Sequence, residues 1–263
     1  MRVTTKRSVA LVIEYDGTRY AGFQLQANAP TIQGELEKAI ARLTETPTRV
    51  YGAGRTDSGV HAQGQVVAFS TKSRLSCKTI VGGLTHFLSK DIAVREAYNV
   101  PTTFDPRRHA SSRVYRYTLL NRMTRAPLLE RYAYRVVKQL DDNAMVTALK
   151  LIEGRHDFAS LASALPPGKS TVREVYATTL WRGGDVVRFE IKANAFLPHQ
   201  MRRIGGLLVA VGTGRLSTNQ VNKVVGNQSH EVPLVNVSTL PPQGLCLMQV
   251  NYKDFPTYDY ETD

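Results

Sequence analysis

The sequence predicts an α+β protein of two domains. Two observations carry this expectation. Strand-like and helix-like segments follow one another in mixed order in both halves of the chain, with no regular alternation. The 263 residues are 42% hydrophobic and 21% charged, enough apolar material for a sizeable core. The boundary is expected near Asp105-Pro106, giving domains of residues 1–105 and 106–263.

In the first half, "SVALVIEY" (Ser8 to Tyr15) is β-branched and apolar and reads as a buried strand, followed by a "DGT" turn. "TIQGELEKAIARLTE" places Ile32, Leu36, Ile40 and Leu43 along one helical face, with Thr31 as N-cap. "TRVYGAGR" starts as a strand and breaks at Gly52, and "QVVAFS" from Gln65 resumes one. "CKTIVGGLTHFLS" reads as a helix, "DIAVREAYNV" as a strand and "PTTFDPRRHASS" as a loop.

In the second half, "RVYRYTLLN" and "YAYRVV" alternate as strands do. "DDNAMVTALKLIEG" is a helix stopped by Gly154. "TTLWRGGDVVRFEIKA" is a hairpin turned at Gly183-Gly184. "PHQMRRIGGLLVAVG" is a helix opened by Pro198, "STNQVNKVVGN" a short helix and "GLCLMQVNY" a closing strand. The acidic, aromatic tail "DFPTYDYETD" reads as a terminal cap or a disordered end.

Charge and cysteine usage narrow the function. The formal net charge is +12, from 34 Lys+Arg against 22 Asp+Glu, and such an excess attracts polyanions. The apolar stretch "IGGLLVAVG" (Ile204 to Gly212) is far too short to span a bilayer, and the N-terminus reads as a strand, not a signal peptide. No membrane role is expected. Cys77 and Cys246 lie far apart, form no zinc-ligand cluster, suit a reducing compartment and are expected in the core.

One stretch demands explanation. "GAGRTDSGVHAQGQ" (Gly52 to Gln65) holds four glycines around one Arg, one Asp and one His, between two strands. Asp57 stands where a dinucleotide fingerprint needs its third glycine, and a carboxylate there would repel pyrophosphate. No P-loop Lys with Ser or Thr follows, and a calcium loop needs more acids. A connecting turn needs fewer glycines. A functional loop fits better: glycines permit close approach of backbone and a bulky ligand, leaving Asp57 to act as nucleophile or general base. A nearby cation such as Arg55 favours the charged carboxylate.

"GAGRTDSGVHAQGQVVAF" resembles the signature of the TruA-type tRNA pseudouridine synthases. The resemblance extends to "EYDGTRYAGFQLQ", "RVYRYTLLN", "GRHDFASL", "IKANAFLPHQMRRIGGLL" and "GLCLMQVNY", together covering about Ser8 to Tyr252. Phe23 and Cys246 depart from it, standing where the family commonly has Trp and Tyr.

The resemblance implies the rest. The two domains would join in a largely antiparallel sheet with a basic central cleft. The reaction would be isomerisation of uridine to pseudouridine at positions 38, 39 and 40 of the tRNA anticodon stem-loop. No cofactor and no metal would be needed, and the protein would be a cytoplasmic homodimer. Asp57 would be the catalytic group, Arg202 its cationic partner and Arg55 the arginine that helps extrude the base. Tyr115 would stack on the uracil and Leu245 pack beside it. Residue type alone leaves Tyr115 and Leu245 as core candidates and Arg202 as a solvated helix arginine. Strand alternation puts Tyr117 on the same face as Tyr115 and does not separate the two, whereas Arg203 sits about 100° around the helix from Arg202.

From Pro106 to Arg135, eight arginines face one acid, Glu130, with Tyr115, Tyr117, Tyr132 and Tyr134 interleaved. Arg107, Arg108, Arg113 and Arg116 are the candidate RNA-binding residues, the remaining four being 122, 125, 131 and 135. His61, His109 and His199 lack metal-ligand spacing and receive no catalytic role. A non-catalytic RNA-binding module would need this face but not Asp57, Arg55 and Arg202 together. A synthase acting on another RNA position is the second alternative.

Overall fold

The computed structural model describes residues 6–163, 168–225 and 237–253. The chain divides into two compact units, Met1–Ser111 with Leu247–Asp263, and Ser112–Cys246. Both mix helices with mostly antiparallel strands, so the fold is α+β.

In the first unit, β1 (Arg7–Tyr15) pairs antiparallel with β3 (His61–Thr71) on one side and β4 (Ile92–Val100) on the other. The short β2 (Tyr51–Gly52) pairs with β3, and β10 (Leu245–Tyr252) lies on β3's far side. Val9, Leu11 and Ile13 are fully buried, each contributing about 1.5–3 kcal/mol by leaving water. Helix α1 (Ile32–Thr44) buries Ile32, Leu36 and Ile40 on one face, with Leu43 half-buried. The Thr31 hydroxyl accepts from the Gly34 N–H at 3.2 Å, capping it as expected. Helix α2 (Cys77–Phe87), capped by Ser76, packs on α1 and β4.

In the second unit, β5 (Ala110–Asn121) pairs with β9 (Val186–Ala193), β9 with β8 (Val172–Gly183) and β8 with β7 (Gly154–Asp157), all antiparallel. β6 (Tyr134–Val136) runs parallel to β5. Tyr117, Leu119, Val187, Phe189 and Ile191 alternate onto one fully buried face. Helix α3 (Asp142–Leu151) packs against β8, α4 (Gln200–Gly212) and α5 (Thr218–Val225).

Several boundaries differ from the sequence expectation, each for a local reason. β3 starts at His61, so the second half of the glycine-rich run is strand. Gly183 pairs with Val186, which makes Gly184-Asp185 the hairpin loop. Gly184 takes the positive φ of 56° that such a turn requires. α3 ends at Leu151, and Gly154, at φ 97°, opens β7 instead of capping the helix. α4 begins at Gln200 behind a left-handed His199, two residues past Pro198. Cys77 and Cys246 are half-buried, not core. The tail "DFPTYDYETD" lies outside the described residues from Asp254 onward.

Candidate active site

In the first unit, the Asp57 loop is fixed through Thr56. The Thr56 side chain is buried, and its hydroxyl lies 2.9 Å from the Tyr15 hydroxyl at the end of β1. Its carbonyl accepts from the Phe23 N–H at 3.1 Å. Burial of Thr56 leaves Arg55 exposed and Asp57 half-buried on either side of it. The Asp57 carbonyl accepts from the Val60 N–H at 3.1 Å, closing a turn through Ser58 and Gly59. Gly59 adopts φ 76°, a conformation that costs a side-chain-bearing residue. The Ser58 hydroxyl and the Gly59 N–H both donate to the Tyr20 carbonyl, at 3.1 and 3.3 Å. At the loop's start, the buried Gln65 amide donates to the Gly54 carbonyl at 2.9 Å.

The segment 16–23 is pressed onto this loop. A Cβ at Gly17 would stand 2.0 Å from the Val60 carbonyl oxygen, and one at Gly22 would stand 2.7 Å from the Thr56 oxygen. Gly52 and Gly64 face protein atoms likewise: Gly52 meets the Phe23 ring and Gly64 the Met248 carbonyl. Gly52 and Gly64 therefore serve internal packing, and Gly59 serves a turn. The buried His61 accepts the Gly17 N–H on Nδ1 at 3.1 Å, and the same atom lies 3.2 Å from the Asp16 carboxylate.

Tyr20 is itself held by Asp91. Its hydroxyl donates to the carboxylate at 2.7 Å, Arg19 Nε donates at 2.8 Å and the Ser89 hydroxyl donates to the same group. Burial pushes the Asp91 carboxyl upward, but donors from Ser89, Tyr20 and Arg19 outweigh it and hold it below the ordinary range.

In the second unit, Tyr115 on β5 is 8% exposed and meets the Phe196 ring edge-on, centroids 4.9 Å apart. Tyr117 is fully buried, stacks on Phe189 and donates to the Pro241 carbonyl at 2.7 Å. Burial pushes its phenol well above the usual range. Strand alternation leaves these two tyrosines equivalent; packing separates them. Arg202 on α4 is half-buried, and its Nε donates to the Leu240 carbonyl at 2.7 Å. Arg203 turns elsewhere and donates to the Ala162 carbonyl. Leu245 is buried at the start of β10.

The candidate RNA-binding arginines are unequal. Arg107 and Arg108 are exposed, and their backbone N–H groups hold the Asp105 carboxylate at 2.8 and 2.9 Å. Burial opposes this, yet those two donors keep the Asp105 carboxyl below the ordinary range. Arg113 is buried and donates to the Asn194 carbonyl at 2.8 Å, and Arg116 is bound by Glu190 at 2.6 Å. Among the described residues, no three His, Cys, Asp or Glu side chains gather as a metal site, and no helix is long and apolar enough to cross a membrane.

Sequence reasoning missed Tyr15, Thr56, Tyr20 and Asp91, which position the loop. The first three fall inside the motifs without standing out from their neighbours, and Asp91 lies outside all of them.

A family model described as tRNA pseudouridine synthase matches residues 11–107 and 148–253. A tRNA pseudouridine synthase A of Geobacter sp. (strain M21) is 40% identical over 248 residues, covering 94% of this chain and 100% of the relative. That of Myxococcus xanthus is 42% identical over 247 residues, covering 94% and 92%. That of Roseiflexus castenholzii is 41% identical over 253 residues, covering 94% and 92%. With the aspartate loop and the helix arginine inside the matched segments, and the relatives spanning nearly the whole chain, this protein belongs to the tRNA pseudouridine synthases, a family of isomerases.

Proposed function

We propose that this chain isomerises uridine to pseudouridine at positions 38, 39 and 40 of the tRNA anticodon stem-loop, with Asp57 as the catalytic group. The observation that carries the reading is the mounting of Asp57. It sits half-buried beside a buried threonine, in a turn closed by its own carbonyl. Such a mount fixes the backbone that carries the carboxylate, as the positioning of a nucleophile or base requires.

The reaction breaks the bond from ribose C1′ to uracil N1 and makes one from C1′ to C5. The ring turns in between, C5 loses its proton, and N1 gains one. Nothing is oxidised or reduced. Asp57 attacks the ring or the sugar, or takes the C2′ proton. In this reading Arg202 keeps the Asp57 carboxylate charged and aimed, and Arg55, exposed beside it, helps turn out the nucleotide. Tyr115 offers the uracil an aromatic surface, worth about 1–3 kcal/mol per base, which offsets the few kcal/mol of unstacking. Leu245 packs beside the ring. Arg107 and Arg108 take phosphates, and Arg113 and Arg116 are the further RNA-binding residues of this reading. The working form is a cytoplasmic homodimer needing no cofactor.

The test is tRNA tritiated at uridine C5. The protein is expected to release tritium to water, with modified residues mapping to positions 38–40. Asp57→Ala is expected to release none while still binding tRNA. Normal turnover by that variant would overturn the assignment of the catalytic group. Modification mapping elsewhere would overturn the anticodon assignment alone.

A further inference from the structure

We propose that Trp181, Arg188 and Lys192 form a second RNA-contact surface on the open face of the second unit's sheet, taking an unpaired base and its flanking phosphates. This rests on the reading that the chain acts on tRNA.

Trp181 is 53% exposed near the turn of the β8–β9 hairpin, where a ring of its size leaves much apolar area in water. Two features hold it as a platform. Its ring lies over Gly183, where a Cβ would come 2.2 Å from the ring carbon Cη2. Its cross-strand neighbour Arg188 places the guanidinium carbon 5.2 Å from the ring centroid. The hairpin thus pre-orients a half-exposed aromatic surface beside a cation.

The register shows what shares that face. Thr118, Arg188 and Trp181 form one row across β5, β9 and β8; Arg116, Glu190 and Thr179 the next; Val114, Lys192 and Ala177 the third. Only Glu190 is acidic there, and it binds Arg116. Arg188 and Lys192 therefore give the face a positive excess. Arg188, Lys192, Thr179 and Ala177 are all exposed, whereas the next row beyond Trp181 is covered where Ala126 and Ala133 pack on Leu120 and Val186. Exposed aromatic, adjoining cations and hydroxyls from Thr118 and Thr179 together match the chemistry of a stacked base with its phosphates. A protein partner would require an acidic surface with an apolar slot, a more particular demand than RNA makes.

Trp181 is the only tryptophan in the chain, so its emission reports this face alone. Asp57→Ala protein, in which no turnover is expected, is titrated with unmodified tRNA, with free tryptophan correcting for absorption by the RNA. Emission is expected to be quenched saturably, and less so as salt rises. In anisotropy of labelled tRNA, Trp181→Ala is expected to weaken binding about tenfold and Trp181→Phe much less. The double variant Arg188→Ala with Lys192→Ala is expected to lower the slope of log affinity against log salt by about one to two. Full tRNA binding with unquenched emission and unchanged affinity in Trp181→Ala would overturn the proposal. So would emission that follows protein concentration and ignores tRNA, which would assign the face to a second copy. Tritium release by the unmodified protein is read separately: release without quenching sinks the platform and leaves the catalytic reading standing, and quenching without release does the reverse.

Discussion

The hydroxyls of Tyr15 and Thr56 meet at 2.9 Å in the buried interior of the first unit. This contact joins the end of a central strand to the residue preceding Asp57. Tyr15→Phe removes one partner and leaves the Thr56 hydroxyl buried beside an apolar edge. The expected cost is about 1–3 kcal/mol of stability. Loosening of Thr56 should also lower the maximal rate of tritium release with little change in tRNA affinity. Thermal unfolding and steady-state kinetics on the same preparation check both.

Gly22 and Gly82 make an informative pair. Gly22 has φ 95° and the Thr56 carbonyl against it, whereas Gly82 sits exposed in α2 with nothing within 4 Å of a Cβ. Gly22→Ala is expected to lose about 1–3 kcal/mol from backbone strain alone and to lose activity with it. Gly82→Ala should gain about 0.5–1 kcal/mol by relieving a helix of its most flexible residue. Denaturant titration of both variants gives the sign directly.

Asp91 predicts a pH dependence. Its folded carboxyl lies below the ordinary range. Its contribution is therefore complete above the unfolded value, near 4, and disappears as pH falls through the lower folded value. Asp91→Asn should be destabilised at pH 7 by about 1.5–3 kcal/mol, the worth of a charged hydrogen bond. The gap from the parent protein should narrow below about pH 4, as urea titrations across the acid range will read. Because Tyr20 links Asp91 to Ser58 and Gly59, activity at pH 7 should fall as well.

Tyr115 and Tyr117 should part company on mutation. Tyr117→Phe loses one hydrogen bond to Pro241 and should cost about 0.5–1.5 kcal/mol, with tritium release unaffected. Tyr115→Ala should cut release at least tenfold, through loss of an aromatic surface for the base. Equal effects on catalysis would remove the distinction drawn between them.

Most strands and helices are legible in the sequence because their apolar periods are strong, as in α1, where Ile32, Leu36 and Ile40 all reach the core. Boundaries slip where a single backbone conformation decides them. His199 enters the left-handed region without being glycine, and no propensity argument anticipates that. The candidate site is legible at Asp57 and much less so around it. Nothing in spacing ties Tyr15, Asp91 and residues 56–59 together, since contacts across about 40 to 70 positions leave no periodic trace. The four glycines stand out as unusual, but at Gly52 and Gly64 the room they leave is filled by protein atoms. A sequence does not say which neighbour needs the space.

That crowding separates two kinds of information in one signature. With Val60 and Thr56 pressed on residues 17 and 22, and Phe23 and Met248 on 52 and 64, the glycines encode architecture. The turn at 57 is closed through the backbone carbonyl, which any residue supplies. A sister protein that had swapped Asp57 for asparagine would still be expected to shape the same turn. On the proposed reading, that one letter separates working enzymes from silent look-alikes, and Gly52 and Gly64 report only the fold.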